Sequence, residues 1–206
     1  MEGIINLPLF IISAAILVIA PGPDFIYVTS RGISEGHKAG VLSALGISVG
    51  LLIHTLFAAF GLSAIIQASS TAYILIKFAG AGYLIYLGIK ALLRKDSLNS
   101  KEIESKKGNV FKQGVLTNVF NPKAIITFMA FLPQFVDLKM SSHIIQFSIL
   151  GIIIAVIAVL WFGLVGYFSG IIGSVIKKSR LFQNVVSYLS GTVMIALGLR
   201  LALKKD

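Results

Sequence analysis

The chain has 206 residues, 56% of them hydrophobic and only 13% charged, with a mean hydropathy of +0.92. Soluble domains carry charge on about a quarter of their residues, so this composition excludes an ordinary soluble domain and indicates an integral membrane protein. The net charge of +10 does not indicate a nucleic-acid partner, because the basic residues flank apolar runs instead of forming a face, and the absence of cysteine excludes disulfides, thiolate chemistry and sulfur-ligated metals.

Residues 3–23, 39–76 and 140–176 contain no Asp, Glu, Lys or Arg. Some 20 apolar residues cross a bilayer, so each run can span at least once. Charges, breakers and length together predict six helical segments, at roughly 4–29, 39–66, 73–93, 113–136, 143–176 and 183–203. The first lacks a basic leader before it and is expected to stay in the mature protein. It is interrupted by "PGPD", Pro21 to Asp24. The second carries His54, read either as a hydrogen-bonded packing residue or as a proton relay. The third ends in basic residues, and Lys77 near its outer end is expected to snorkel to the membrane surface. The connection 94–112 is polar and reads as a solvated linker. The fourth segment is interrupted by "NPK", Asn121 to Lys123, and closes in "FLPQF" (131–135), a second helix terminator in which Gln134 could shape a pathway. The fifth is long enough to tilt or to extend beyond the bilayer. Gly46 and Gly50, and the series Gly163, Gly166, Gly170 and Gly173, suit close helix packing within the monomer or a homodimer seam.

The first, third and fifth connections carry nearly all the loop lysines and arginines, which puts them in the cytoplasm and the N-terminus outside. Six crossings then put the C-terminus outside as well. Arg200, Lys204 and Lys205 argue the other way, toward five crossings with a re-entrant fourth segment.

The two halves resemble each other. At one constant offset, "LGIKALLRK" (87–95) matches "LGLRLALKK" (197–205), pairing Gly88 with Gly198 and Lys90 with Arg200. The proline breaks also correspond, and aligning Pro23 with Pro122 sets Asp24 against Lys123. Interrupted segments at matching positions of two halves point to a transporter's binding site. Each half has an odd number of spans, so the second is expected upside down relative to the first. The reading is an all-α membrane protein, a single domain over 1–206. Six transmembrane helices form two inverted three-helix repeats, about 1–93 and 113–206, joined by the 94–112 linker.

Proline suits a helix start better than an interior. Asn121-Pro122 therefore reads as an N-cap followed by the first helical residue, and Gly22-Pro23 as its counterpart. Each break frees amides and a positive helix end at membrane depth, where they must be covered by protein or line a wet cavity. Two such ends favour a bound carboxylate. With Asp24 and Lys123 they complement a zwitterion, and Asp24 could instead bind a proton when substrate is absent. Simpler readings stay open: Asp24 as a helix-start acid or a partner of Arg31, Lys123 as a snorkelling lysine. Phosphate-loop, nucleophile-elbow and metal-ligand spacings are not met.

"PGPDFIYVTSRGISEGHKAGVLSALGISVGLLIH" (21–54) and "NPKAIITFMAFLPQFV" (121–136) closely resemble the lysine-exporter superfamily, in its homoserine/threonine-resistance (LysE/RhtB) branch. The resemblance covers essentially the whole chain. It implies a bacterial inner-membrane secondary transporter that exports amino acids or derivatives by proton antiport, with no cofactor. The family's motifs carry over to Pro21, Gly22, Pro23 and Asp24, to Asn121, Pro122 and Lys123, and to His54. Rival readings are an exporter of another small solute or cation, and a membrane-embedded enzyme using Asp24 and His54 as acid and base.

Overall fold

A computed structural model describes residues 3–93, 108–137, 140, 142–169 and 179–203. It is helical in all its main elements, and the one β pairing among the described residues is an isolated bridge between Ile4 and Val136. Most of the linker (94–107), with Gly170 and Gly173, lies outside the described residues.

The first predicted segment is two helices, α1 (Leu7–Ile19) and α2 (Pro23–Glu35), bent by 53°. α3 (His37–Leu56) runs through a π-helical turn, Phe57–Leu62, into α4 (Ser63–Ala68). α5 spans Ser70–Leu92. The fourth segment is α6 (Val110–Val119) and α7 (Pro122–Ile126), the latter continuing through a π-helical turn, Thr127–Phe131, and a 3-10 turn, Leu132–Phe135; its two parts are bent by 50°. α8 (His143–Tyr167) and α9 (Arg180–Leu203) are the last helices among the described residues. Among the described residues, four helical stretches are long and apolar enough to cross a membrane, and up to six if each bent pair counts as one span.

Several predicted boundaries shift; the first segment runs on to Glu35 instead of 29. α6 begins inside the expected linker because the Asn109 side chain accepts a hydrogen bond from the Lys112 amide, a cap that starts the helix. α8 ends at Tyr167, so the unusual length predicted for the fifth segment is not one continuous helix.

Small residues set how the helices meet. α3 and α8 cross antiparallel with Gly40 against Gly166, where a Cβ on Gly40 would lie 2.3 Å from the Gly166 carbonyl oxygen. α3 and α6 run parallel, with Gly46 against Phe111 and Gly50 against Asn118. α5 and α9 are antiparallel: Gly88 faces Gly191 and Ile195, and Gly198 faces Ala81 and Ile85. These are the same contacts at the constant offset seen in the sequence. Packing within the chain therefore accounts for Gly46, Gly50 and Gly166.

At one face of the bundle the Ile5 amide donates to the Phe135 carbonyl and the Asp137 amide to Gly3, both at 2.9 Å. The Arg200 guanidinium lies over the Phe135 ring, 5.3 Å from its centroid, so the last turn of α9 shares this face with the N-terminus. At the opposite face Arg31 of α2 bonds Glu35 and Gln113 of α6, and the Tyr27 hydroxyl donates to the Val110 carbonyl at 2.8 Å. The acid near Arg31 is thus Glu35, one turn on, and not Asp24. Lys77 departs from expectation as well: it lies on the α5 stripe of Tyr73, Gly80, Ala81, Leu84 and Gly88 and is buried with them instead of reaching the surface.

Candidate functional site

The chain breaks at 20–22 because two prolines two residues apart cannot both sit in one helix. Ala20 and Gly22 take extended conformations, and Pro23 then opens α2 at its first position, with no side-chain cap from Gly22. At the second break Asn121 is extended and its Oδ1 accepts from the Lys123 amide at 2.9 Å, with Pro122 next. The expected cap and proline start are both present there.

The two breaks touch. Lys123 Nζ donates to the Ala20 carbonyl at 2.8 Å, satisfying an oxygen that the end of α1 leaves free. The lysine stem passes Gly22, whose absent Cβ would stand 3.5 Å from Lys123 Cδ. Asp24 does not form a direct ion pair with Lys123; its Oδ2 accepts from Asn118 Nδ2 at 2.9 Å. Around the breaks three buried polar atoms make no hydrogen bond within 3.5 Å: Asp24 Oδ1, Asn118 Oδ1 and Asn121 Nδ2, the Asp24 and Asn121 side chains being neighbours. Leaving such groups unpaired costs about 1–3 kcal/mol each, so their grouping at one point calls for a ligand or water.

Asp24, Asn121 and Lys123 line a cavity of about 40 Å³, walled otherwise by Leu17, Val18, Leu51, Phe128, Ile154 and Phe162 among others. That volume is near the ~30 Å³ share of a single water. Ala20, Gly22, Asn121 and Lys123 also line a cleft of about 1110 Å³, which runs to Tyr83, Tyr86 and Lys90 of α5 and to Ser190 and Met194 of α9. Lys123 stands between the two spaces.

His54 is not on the lining of the small cavity. It is buried, its Nε2 is 3.2 Å from the Asn118 carbonyl, and its ring packs 5.5 Å from Phe128. It borders a separate apolar cavity of about 350 Å³ beside the π turn Phe57–Leu62. Asn118 thus joins the two: side chain to Asp24, backbone to His54. A direct acid–base pair of Asp24 and His54 is not formed. Gln134 is buried at the face shared with the N-terminus, with its Nε2 donating to the Ala130 carbonyl at 3.1 Å.

Sequence reasoning missed Asn118. Its signal was a polar side chain in an apolar segment, but only the crossing of α6 with α2 and α3 shows what it touches. Gly50 makes room for it, since a Cβ there would lie 2.7 Å from the Asn118 side chain.

The LysE type translocator family profile matches residues 15–205. The chain belongs to that family. It is a multi-pass inner-membrane protein, as the apolar helices require. A Bacillus subtilis (strain 168) membrane protein, YrhP, whose function is uncharacterized, is 33% identical over 201 residues, covering 92% of this chain and 95% of that protein. The leucine efflux protein of Enterobacter sp. (strain 638) is 26% identical over 204 residues, covering 97% and 96%. That of Salmonella typhimurium (strain LT2) is 26% identical over 203 residues with the same coverage. No solved structure matches the chain.

Proposed function

We propose that this LysE-family chain exports a neutral amino acid with an apolar side chain, such as leucine, in exchange for a proton. The observation that carries the reading is the meeting of two helix breaks around Asp24 and Asn121, whose Oδ1 and Nδ2 make no hydrogen bond within 3.5 Å, in a cavity walled, apart from Lys123 and Thr127, by apolar side chains. The substrate's ammonium binds Asp24 and its carboxylate binds the Asn121 amide and Lys123. Once the cavity, here near the size of one water, has opened, the substrate's side chain lies among Leu17, Val18, Phe128 and Ile154. No further acid or base lines that wall, which disfavours a charged side chain such as lysine's, and the names of the leucine-exporting relatives agree with this choice. Homoserine and threonine, smaller and more polar, remain the nearest competitors within the same backbone recognition.

Asp24 alternates between the substrate's ammonium on the way out and a proton on the way back, so that the buried carboxylate is never left uncompensated. The repeated Gly88 and Gly198 contacts and the paired broken segments support two inverted halves, and the shared face of the N-terminus and Arg200 supports six crossings. The charge of the connections puts that shared face outside the cell.

The test uses inside-out membrane vesicles, whose outer surface is the cytoplasmic one. Leucine uptake is expected to be stimulated by an acidic lumen, and Asp24→Asn is expected to abolish that stimulation while the protein still inserts. A folded Asp24→Asn variant that keeps full pH-gradient-driven uptake sinks the proton role. Mass analysis of the transported solute is expected to show unaltered leucine, the outcome that separates a transporter from a membrane enzyme.

A further inference from the structure

We infer that Lys90 and Arg200 are matching stations for the substrate's carboxylate at the two mouths of the route, with the mouth at Lys90 open and the mouth at Arg200 shut in this structure. The inference rests on the exporter reading above.

The open mouth is the cleft of about 1110 Å³ between the breaks and the α5–α9 pair. Its lining includes two cations, Lys90 and Lys123, and no acid. Lys90 is exposed, its ammonium 5.9 Å from the Tyr86 ring centroid, and no ion pair engages it among the described residues. A carboxylate arriving from the side of the 94–112 connection meets Lys90 first and Lys123 at the end of the cleft.

The shut mouth is at the opposite face. Phe10, Phe131 and Phe135 are fully buried against one another, with ring centroids 4.9–5.3 Å apart. Here α1 adjoins α9, and α5 meets the Thr127–Phe131 turn with Gly80 against Ala130. Comparable contacts of α5 with α6, or of α9 with α2, do not occur among the described residues. Arg200 lies over Phe135, with Nη1 buried and unpartnered. An arginine held in this way beside an aromatic plug is costly unless an anion visits it.

Lys90 and Arg200 occupy the same register as Gly88 and Gly198, whose packing repeats between α5 and α9. One physical arrangement is thus seen once open and once closed. Rocking the α5–α9 pair would shut the cleft over Lys90, part the phenylalanines and free Arg200, releasing substrate outward.

The chain has no cysteine, so single cysteines report access cleanly. Leu87→Cys, at a half-buried position on the cleft lining, is expected to react about tenfold faster with a membrane-impermeant maleimide from the cytoplasmic face than from the other, as a strongly biased two-state carrier requires. In inside-out vesicles, Lys90→Gln is expected to raise the leucine KM about tenfold with little change in maximal rate, the loss of one charge-assisted bond at entry. Arg200→Met is expected to lower the maximal rate about tenfold with little change in KM, and Arg200→Lys to restore most of it. Equal labelling from both faces, or an Arg200→Met variant as active as Arg200→Lys, overturns the assignment. A wild-type protein that carries no leucine sinks the exporter reading and the stations with it; leucine flux without this kinetic split overturns the stations alone.

Discussion

The two helix breaks use one backbone device and complete it differently. At the second, Asn121 caps its own helix, and the turn from α6 to α7 needs no help from elsewhere. At the first, Gly22 supplies no cap, the end of α1 leaves the Ala20 carbonyl free, and an acid follows the proline. What the first break lacks the second half supplies: Lys123 satisfies Ala20, and Asn118 holds Asp24. The second break is therefore a frame and the first a guest within it. A substrate whose ammonium and carboxylate replace these borrowed bonds competes with the protein's own side chains, so binding and opening of the small cavity are one event.

The largest effect expected from this contrast is at Lys123. Lys123→Met removes both the bond to Ala20 and the cation facing the cleft, and leucine flux should fall roughly 10- to 100-fold, the span of a lost charge-assisted bond worth about 1.5–3 kcal/mol. Because the second break caps itself, the same variant should keep its melting temperature within a few degrees. A large loss of stability would show that Lys123 holds the frame and not the guest.

Asn118→Leu comes next. It strips Asp24 of its donor and should cost about 1–3 kcal/mol in stability, with a similar loss of rate. Gly50→Ala should mimic it in kind, because the new methyl would meet Asn118 at 2.7 Å and move it; about 1–3 kcal/mol is the usual cost of such overpacking. Thermal unfolding in detergent and flux in the same preparation measure both. Asn121→Ala tests the self-capped break, with an expected loss of about 1 kcal/mol that Asn121→Ser restores.

How much of this was legible in the sequence follows the range of each interaction. Spans and breaks are local: apolar runs long enough to cross and prolines that cannot continue a helix, and both bends fall where "PGPD" and "NPK" put them. Asn121's cap is local too. The bridge from Asp24 to His54 through Asn118 is not, since it joins residues on three helices that are far apart in the chain. The burial of Lys77 escaped for the same reason, its neighbours being set by which α5 face meets α9. The π turns at Phe57–Leu62 and Thr127–Phe131 carry no composition of their own; they lie beside the cavities at His54 and Phe128, where tertiary packing decides the extra residue per turn.

The smallest effect separates two explanations of the glycine in "PGPD". Gly22 has φ −162°, an extended conformation open to any residue, so its backbone does not demand glycine. Its missing side chain matters only through Lys123, whose Cδ would stand 3.5 Å from an added Cβ, an ordinary contact. Gly22→Ala should therefore change stability by no more than a few tenths of a kcal/mol, in keeping with a surface-like site, and flux by less than about twofold. Gly22→Val should cost far more, because branches at Cβ reach the path of the lysine stem between the cavity and the cleft. If alanine proves as damaging as valine, the glycine serves a second conformation of the break, one in which Ala20 and Lys123 have parted.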